Sequence, residues 1–514
     1  MGLTKKAEKS RIYNAKMNIV IGLISQLVTL VCGFIIPRLI IKNYGSIQYG
    51  ATTSIAQFLG YISLLEGGVS GVARAALYKP LADNDSERIN GIITEIQAFF
   101  RKIGYIFIIY VIILAVFFRS ISHATDLEWS FTFFLVLSIS ISTFAQYFIG
   151  ISYSVFLQAA QKAYITYYAS IVTILLNTVA TILLVRLGAD LVIVKLVSSI
   201  IFVIKPIWFL SYVRKNYKID KTISIKTNAL NQKWIALGQH IAYYLHSNTD
   251  VAILTIFTNL AYVAVYAVYH MIIFSIQSIT QSFSNGMEAV FGDMLAKDEH
   301  EKLQRTFRLY ETMISLITII MFSTTCIMIV PFIKLYTRDL TDANYIEPVF
   351  AYVLTFASVV FCLRLPYHSI IIAAGHFQQT KLGAYGEAII NIVSSIIFVK
   401  LYGLVGVAIG TVLATTFRFL YYVMYISSNI IKQDIRLFGK RVFINTITFA
   451  ICLIIGNVLC GAIFKENYLR WILSAVLVFL TSFIITFSIY YFAYRNECRN
   501  AISLIARRMA KSNG

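Results

Sequence analysis

The residues best equipped for chemistry lie in His246-Ser247-Asn248-Thr249-Asp250, inside a run from Trp234 to Thr258 that is otherwise apolar enough to cross a bilayer. A carboxylate near mid-span costs roughly 2.5–3.5 kcal/mol on insertion scales, so it needs a reason to be there. His246 and Asp250 are four residues apart and share one face of a helix. Two readings follow. The pair, with Asn248, is a cation or proton coupling site, because burial raises a carboxylate's pKa and a neighbouring cation lowers it. Alternatively, the cluster is interhelical hydrogen-bonding glue, for which Ser and Asn alone would suffice.

The elements that must position these residues are membrane helices. The chain is 58% hydrophobic and 13% charged, with a mean hydropathy of +0.74. Apolar runs of about 20 residues recur throughout, the length that spans a bilayer. Fourteen spans are expected, from 18–41 and 46–73 at the start to 442–464 and 470–494 at the end. The net charge of +20 points to cytoplasmic loops rather than to nucleic acid, because lysine and arginine concentrate in alternate loops. These are Arg74–Lys102, Arg214–Lys233, Lys297–Arg308 and Lys432–Arg441, so both termini are expected inside. Ser86–Lys102 is expected to form an amphipathic helix at the interface. The basic N-terminus leads straight into a full-length span with no small-residue cleavage site. The six cysteines show no CxxC or metal spacing and read as small apolar helix residues.

The chain also repeats itself. The segment 175–187, LLNTVATILLVRL, aligns at an offset of 214 with 389–401, IINIVSSIIFVKL. The same offset carries Ala159-Ala160 onto Ala373-Ala374 and Leu81-Ala82 onto Leu295-Ala296. Six helices separate the copies, an even number, so both insert the same way up. The expectation is an all-α membrane protein of two six-helix lobes, 14–213 and 234–427, in parallel pseudo-two-fold repeat around a central cavity. Two extra helices at 442–494 and a cytoplasmic tail at 495–514 lie outside the repeat.

No catalytic constellation accompanies this frame. There is no GxxxxGK[ST], GxSxG or HExxH, and the external loops, as at 334–345, are too short to house an active site. A membrane glycosyltransferase or polymerase would need a larger one. The expectation is a protein that is not an enzyme.

The first hairpin reads Gly33-Phe34-Ile35-Ile36-Pro37-Arg38, Asn43-Tyr44-Gly45, Tyr49-Gly50, Leu65-Glu66-Gly67-Gly68 and Leu77-Tyr78-Lys79-Pro80-Leu81-Ala82. With the Asn-Thr-Asp of 248–250 and Val265-Tyr266 after it, this pattern resembles the bacterial polysaccharide and O-antigen repeat-unit flippases of Wzx type. They belong to the multidrug/oligosaccharidyl-lipid/polysaccharide (MOP) exporter superfamily. The resemblance covers nearly the whole chain and implies flipping of an undecaprenyl-pyrophosphate-linked oligosaccharide to the outer leaflet, by alternating access. It also implies a bacterial inner-membrane location, coupling to Na+ or H+ with no cofactor, and contact with membrane lipids and polysaccharide polymerase or export machinery. A lipid II flippase, also of fourteen spans, or a cation-coupled drug exporter, usually of twelve, is the alternative.

A pyrophosphate in a low-dielectric cavity needs fixed positive charge, supplied bidentately by Arg or as a point charge by Lys. Arg38, Lys205, Arg364 and Arg418 are the candidates, each with a bland counterpart such as snorkelling at Arg38 or a Pro366 kink beside Arg364. Lys205 and Arg418 are nearly equivalent in the repeat, so a headgroup entering from the cytoplasm is expected to meet them before Arg38. Glu66 and Glu387 are the expected counter-charges. Gly67/Gly71 and Gly406/Gly410 read as small-xxx-small packing pairs.

Overall fold

The computed structural model describes residues 2–217, 233–463 and 467–497, apart from Asn84, Asn285 and Asn496. Among them the chain is helical throughout, with no strand. In chain order come α1 (Gly2–Tyr44), α2 (Ser46–Gly60), a short 3-10 turn (Tyr61–Leu65), α3 (Val69–Asp83), α4 (Ser86–Ile121) and α5 (Trp129–Ala145). A π turn (Gln146–Gly150) leads to α6 (Ile151–Ala159), α7 (Ala163–Arg186), α8 (Leu191–Asn216), α9 (Lys233–Phe257) and α10 (Leu260–Ser282). There follow α11 (Met287–Ala296), α12 (His300–Tyr336), α13 (Pro348–Ala373), α14 (Lys381–Tyr402), α15 (Leu404–Asn429), α16 (Ile435–Ile463) and α17 (Tyr468–Ala493).

Twelve helices among the described residues are long and apolar enough to cross a membrane, or thirteen if one bent pair is a single span. Fourteen spans were therefore an approximation, and two places explain the difference. The span expected at 46–73 is broken: Ser46–Leu65 and Val69–Asp83 meet at 50°. Gly67 and Gly68 sit between them at φ 56° and 75°, left-handed values that glycine adopts without strain. The Gly67/Gly71 pair is therefore no packing seam. Gly67 makes a turn, and a Cβ at Gly71 would meet open space. The span expected at 234–258 falls on α9, where the apolar helix among described residues is Asn248–Phe257. Ser86–Lys102 is no separate interfacial helix either. Asp85 caps Arg88 N at 3.0 Å and the helix runs unbroken to Ile121.

Packing divides the chain into two compact units, Met1–Ala264 and Val265–Gly514. In the first, α1 packs on α7, α5 on α8, and α2 on α5 and α9. The repeat places the second lobe from 234, whereas α9 packs with the first unit because its polar side chains bond to α2. In the second unit α13, α14 and α15 pack together, and α16 and α17 both pack on α12. Gly406 and Gly410 do form a seam there: a Cβ at either would lie 2.0–2.1 Å from Phe398 O or Ser395 Oγ of α14.

The duplicated residues occupy matching places. Leu81-Ala82 and Leu295-Ala296 sit in the last turns of α3 and α11, and Ala159-Ala160 and Ala373-Ala374 close α6 and α13. Asn177 of α7 accepts from Ser198 Oγ of α8 at 2.5 Å, while Asn391 of α14 donates to Thr411 Oγ1 of α15 at 3.3 Å. In each unit one buried asparagine ties a helix to the next.

Candidate functional site

In the first unit the polar residues of α9 meet a matching stripe on α2 and the 3-10 turn that follows it. Ser54, Gln57 and Tyr61 recur at a three-to-four-residue spacing, as do Tyr244, Asn248 and Thr255 at multiples close to a helical turn, so each set lines one face. Ser54 Oγ and Thr255 Oγ1 lie 2.6 Å apart. Gln57 Nε2 donates to Asn248 Oδ1 at 3.1 Å, and Tyr61 Oη donates to the Asn248 carbonyl at 3.0 Å. The Tyr61 and Tyr244 rings meet edge to face with centroids 5.7 Å apart. Buried polar groups outside water must find such partners, and here neutral side chains supply them.

Asp250 is 7% exposed on the same helix. The His246 side chain lies outside the described residues, and so does any geometry for the His246–Asp250 pair. Arg38 on α1 and Lys205 on α8 are half-buried, and the Lys205 ammonium lies 5.7 Å from the Phe202 ring centre. Glu66, at the α2–α3 break, accepts from the Ser70 hydroxyl. Its bond is therefore local to the break, one turn along the chain, rather than the expected pairing with a candidate cation.

The second unit arranges charge differently. Arg364 of α13 pairs directly with Glu387 of α14, and Arg418 Nη1 of α15 lies 3.6 Å from the same carboxylate. All three are buried: Arg364 is 7% exposed, Glu387 and Arg418 5% each. Arg418 stacks 4.5 Å from the Tyr422 ring centre and donates to its hydroxyl, which lies 3.4 Å from His368 Nδ1. The structure thus brings together three candidates that are 23 and 31 positions apart in sequence around Glu387. Their closure as an internal ion cluster limits what Arg364 can offer a ligand. Pro366 stands two residues from Arg364, inside a helix that continues from Pro348 to Ala373.

A second buried pair escaped the sequence reading. Arg441 of α16 lies 2.6 Å from Glu311 of α12, which also accepts from the Tyr367 hydroxyl of α13. Arg441 sits 5.3 Å from the Tyr494 ring centre. Its place at the end of the basic segment 432–441 made it look like loop charge. The available signal was Glu311, a lone carboxylate at the start of an expected span. This pair fastens α16 to the body of its unit.

No protein-family model and no curated protein sequence matches the chain. Solved structures do. The lipid II flippase MurJ in an inward closed conformation matches with a TM-score of 0.70 at 16% identity, over 93% of this chain and 99% of its own. An inward-facing multidrug resistance MATE family transporter of the MOP superfamily matches at 0.59 and 14% identity, over 78% of this chain and 95% of its own. The MATE multidrug transporter DinF-BH matches at 0.58 and 16% identity, over 82% of this chain and 95% of its own. These neighbours are transporters and flippases, not enzymes. At such identities the likeness concerns the fold: the chain shares the fold of these transporters, and its described residues hold twelve or thirteen helices long and apolar enough to cross a membrane.

Proposed function

We propose that the chain is a flippase carrying an undecaprenyl-pyrophosphate-linked oligosaccharide from the cytoplasmic to the outer leaflet by alternating access, in surface polysaccharide biosynthesis. The observation that carries the reading is extent. The likeness to the lipid II flippase runs over 93% of the chain, against 78% for the MATE transporter. The extra helices α16 and α17, joined to their unit through Arg441, Glu311 and the α12 contacts, are in keeping with that greater length. The first-hairpin motif adds the resemblance to Wzx-type flippases.

In this reading the protein lies in the bacterial cytoplasmic membrane with both termini inside, and works alongside polymerase and export machinery. Lys205 and Arg38 supply positive charge along the pyrophosphate's route, with Arg364 and Arg418 contributing as Glu387 exchanges partners. Asp250, with His246 and Asn248, forms the site of the coupled Na+ or H+. Lipid II is the second cargo to weigh, because a neighbour matching over 93% of the chain carries that name.

The test uses full-length protein in sealed proteoliposomes holding fluorescent undecaprenyl-pyrophosphate-linked tetrasaccharide, with lipid II and a cationic rhodamine dye as parallel cargoes. Translocation is read by accessibility of the glycan to an impermeant lectin or quencher. The expected outcome is movement of the tetrasaccharide, enhanced by a Na+ or pH gradient and losing that enhancement in Asp250→Asn. Transport of the dye with no lipid-linked glycan moved would overturn the proposal.

A further inference from the structure

A cavity of about 410 Å³ opens within the first unit, between Thr52, Thr53 and Gln57 of α2, Lys195 of α8, and Tyr244 and Asn248 of α9. That volume falls in the range of ligand pockets, about 300–1,000 Å³. We infer that this cavity holds the glycan of the cargo and selects a sugar bearing a carboxylate, a uronic acid, with Lys195 facing that carboxylate. The inference rests on the flippase reading and names the class of glycan.

Hydrogen-bond accounting on the walls supports it. The hydroxyls of Thr52 and Thr53 both donate to the Tyr49 carbonyl, at 2.7 and 3.1 Å, so toward the cavity they retain lone pairs that accept. Gln57 spends one N–H on Asn248, and Asn248 spends one on the Tyr244 carbonyl at 3.0 Å. Each amide therefore keeps a second N–H to donate. Acceptors and donors on facing helices suit a polyol, whose every hydroxyl does both. Tyr244 adds an aromatic wall, with its ring held edge to face against Tyr61. Gly60 leaves room for its hydroxyl, since a Cβ there would stand 2.8 Å from Tyr244 Oη.

Lys195 adds the charge. Among the described residues it has no carboxylate within ion-pair distance, unlike Arg364, Arg418 and Arg441. An ammonium half-buried without an acid beside it carries a desolvation cost that an anionic ligand offsets. The choice between a sugar carboxylate and a phosphate follows from the donor set. Phosphates favour guanidinium forks or several cations at once. Here one point charge stands among neutral amides and hydroxyls, the match for a singly charged, hydroxyl-rich group.

The experiment titrates full-length protein in nanodiscs with digalacturonate, its dimethyl ester and inorganic pyrophosphate, read by microscale thermophoresis. The acid should bind about tenfold tighter than the ester, the worth of one charged hydrogen bond. Lys195→Met should abolish that ratio while leaving ester affinity and melting temperature unchanged, and Lys195→Arg should restore the preference. Equal affinity for acid and ester, or a preference that survives in Lys195→Met, overturns the inference. So does pyrophosphate displacing the acid at lower concentration than the acid itself, which would assign the site to the headgroup. In proteoliposomes, equal transport of neutral and acidic lipid-linked glycans sinks this inference alone. Failure to move any lipid-linked glycan removes the flippase reading and the inference with it.

Discussion

In the second unit Arg364 and Arg418 converge on Glu387, and the three are almost wholly buried. In the first unit the 214-residue offset sets Gly150 opposite Arg364 and Thr173 opposite Glu387, while Lys205 falls one residue beyond the counterpart of Arg418. One of the two cations is kept, whereas the other and the carboxylate are not. Thr173 is fully buried and spends its hydroxyl on the Ala169 carbonyl at 2.8 Å, so it offers no charge to Lys205. Lys195 and Lys205 of α8 are both half-buried, and Lys195 lies on a cavity wall. Duplicated helices thus diverge here at two positions of the cluster, Gly150 against Arg364 and Thr173 against Glu387. A cation with an acid beside it can be buried as part of the frame, and one without must stay where water or cargo can reach it.

The largest test of this contrast removes the carboxylate. Glu387→Ala leaves two buried guanidinium groups uncompensated, and losing one partner of a buried ion pair costs about 3–5 kcal/mol. The variant should show a sharply reduced folded yield and melting temperature by fluorescence-detected size exclusion. Thr173→Ala, at the matching position, should behave nearly as the unaltered protein does. Comparable losses in the two would mean that the cluster is not what distinguishes the units.

The duplication was legible in the sequence because its anchors are chemically unusual. An asparagine in the middle of an apolar helix is rare enough to align, and Asn177 and Asn391 each bond to the helix that follows, the first as acceptor and the second as donor. Fold class and membrane character followed from apolar run length. What stayed hidden was set by three-dimensional approach. Glu387 was readable as a counter-charge, but its choice of Arg364 and Arg418 depends on how α13, α14 and α15 cross. Arg441 read as loop charge until packing set it against Glu311. Lys195 reads in sequence as a cation within a span and no more, because nothing in its own helix shows that Gln57 and Asn248 stand across a cavity from it. In sequence Gly67 reads as half of a packing pair with Gly71, because a left-handed turn and a small-residue seam use the same residue.

A smaller effect is expected where the units agree. Asn177→Ala and Asn391→Ala each remove one interhelical hydrogen bond. The cost should be about 0.6–1.7 kcal/mol, as for such bonds in membranes, and similar in the two variants. Urea or SDS unfolding of the purified protein measures it. A loss at Asn391 severalfold larger than at Asn177 would mean that the second unit relies on this tie more heavily, and that the contrast between the units extends beyond charge.

The smallest stability effect belongs to Lys205, which has no acid within ion-pair distance among the described residues. Lys205→Met removes an ammonium whose neighbour is the Phe202 ring at 5.7 Å and puts an apolar chain of similar length in its place. With no ion pair to break among the described residues, stability should change by no more than about 0.5 kcal/mol, the usual range away from buried networks. Arg418→Met removes the same charge from the nearly equivalent position, but also a hydrogen bond to Tyr422 and the contact with Glu387. It should cost about 1.5–3 kcal/mol, the worth of hydrogen bonds to charged groups. Transport should rank the two differently. If Lys205 meets the pyrophosphate, Lys205→Met loses translocation while keeping its melting temperature, and Lys205→Arg recovers it. Arg418→Met loses activity only in proportion to folded protein if its guanidinium is committed to the cluster, and beyond that proportion if Glu387 releases it to the headgroup during the cycle. Equal destabilisation by the two methionine variants would show that burial and pairing, which separate these sites so clearly in the structure, do not govern what the cations contribute.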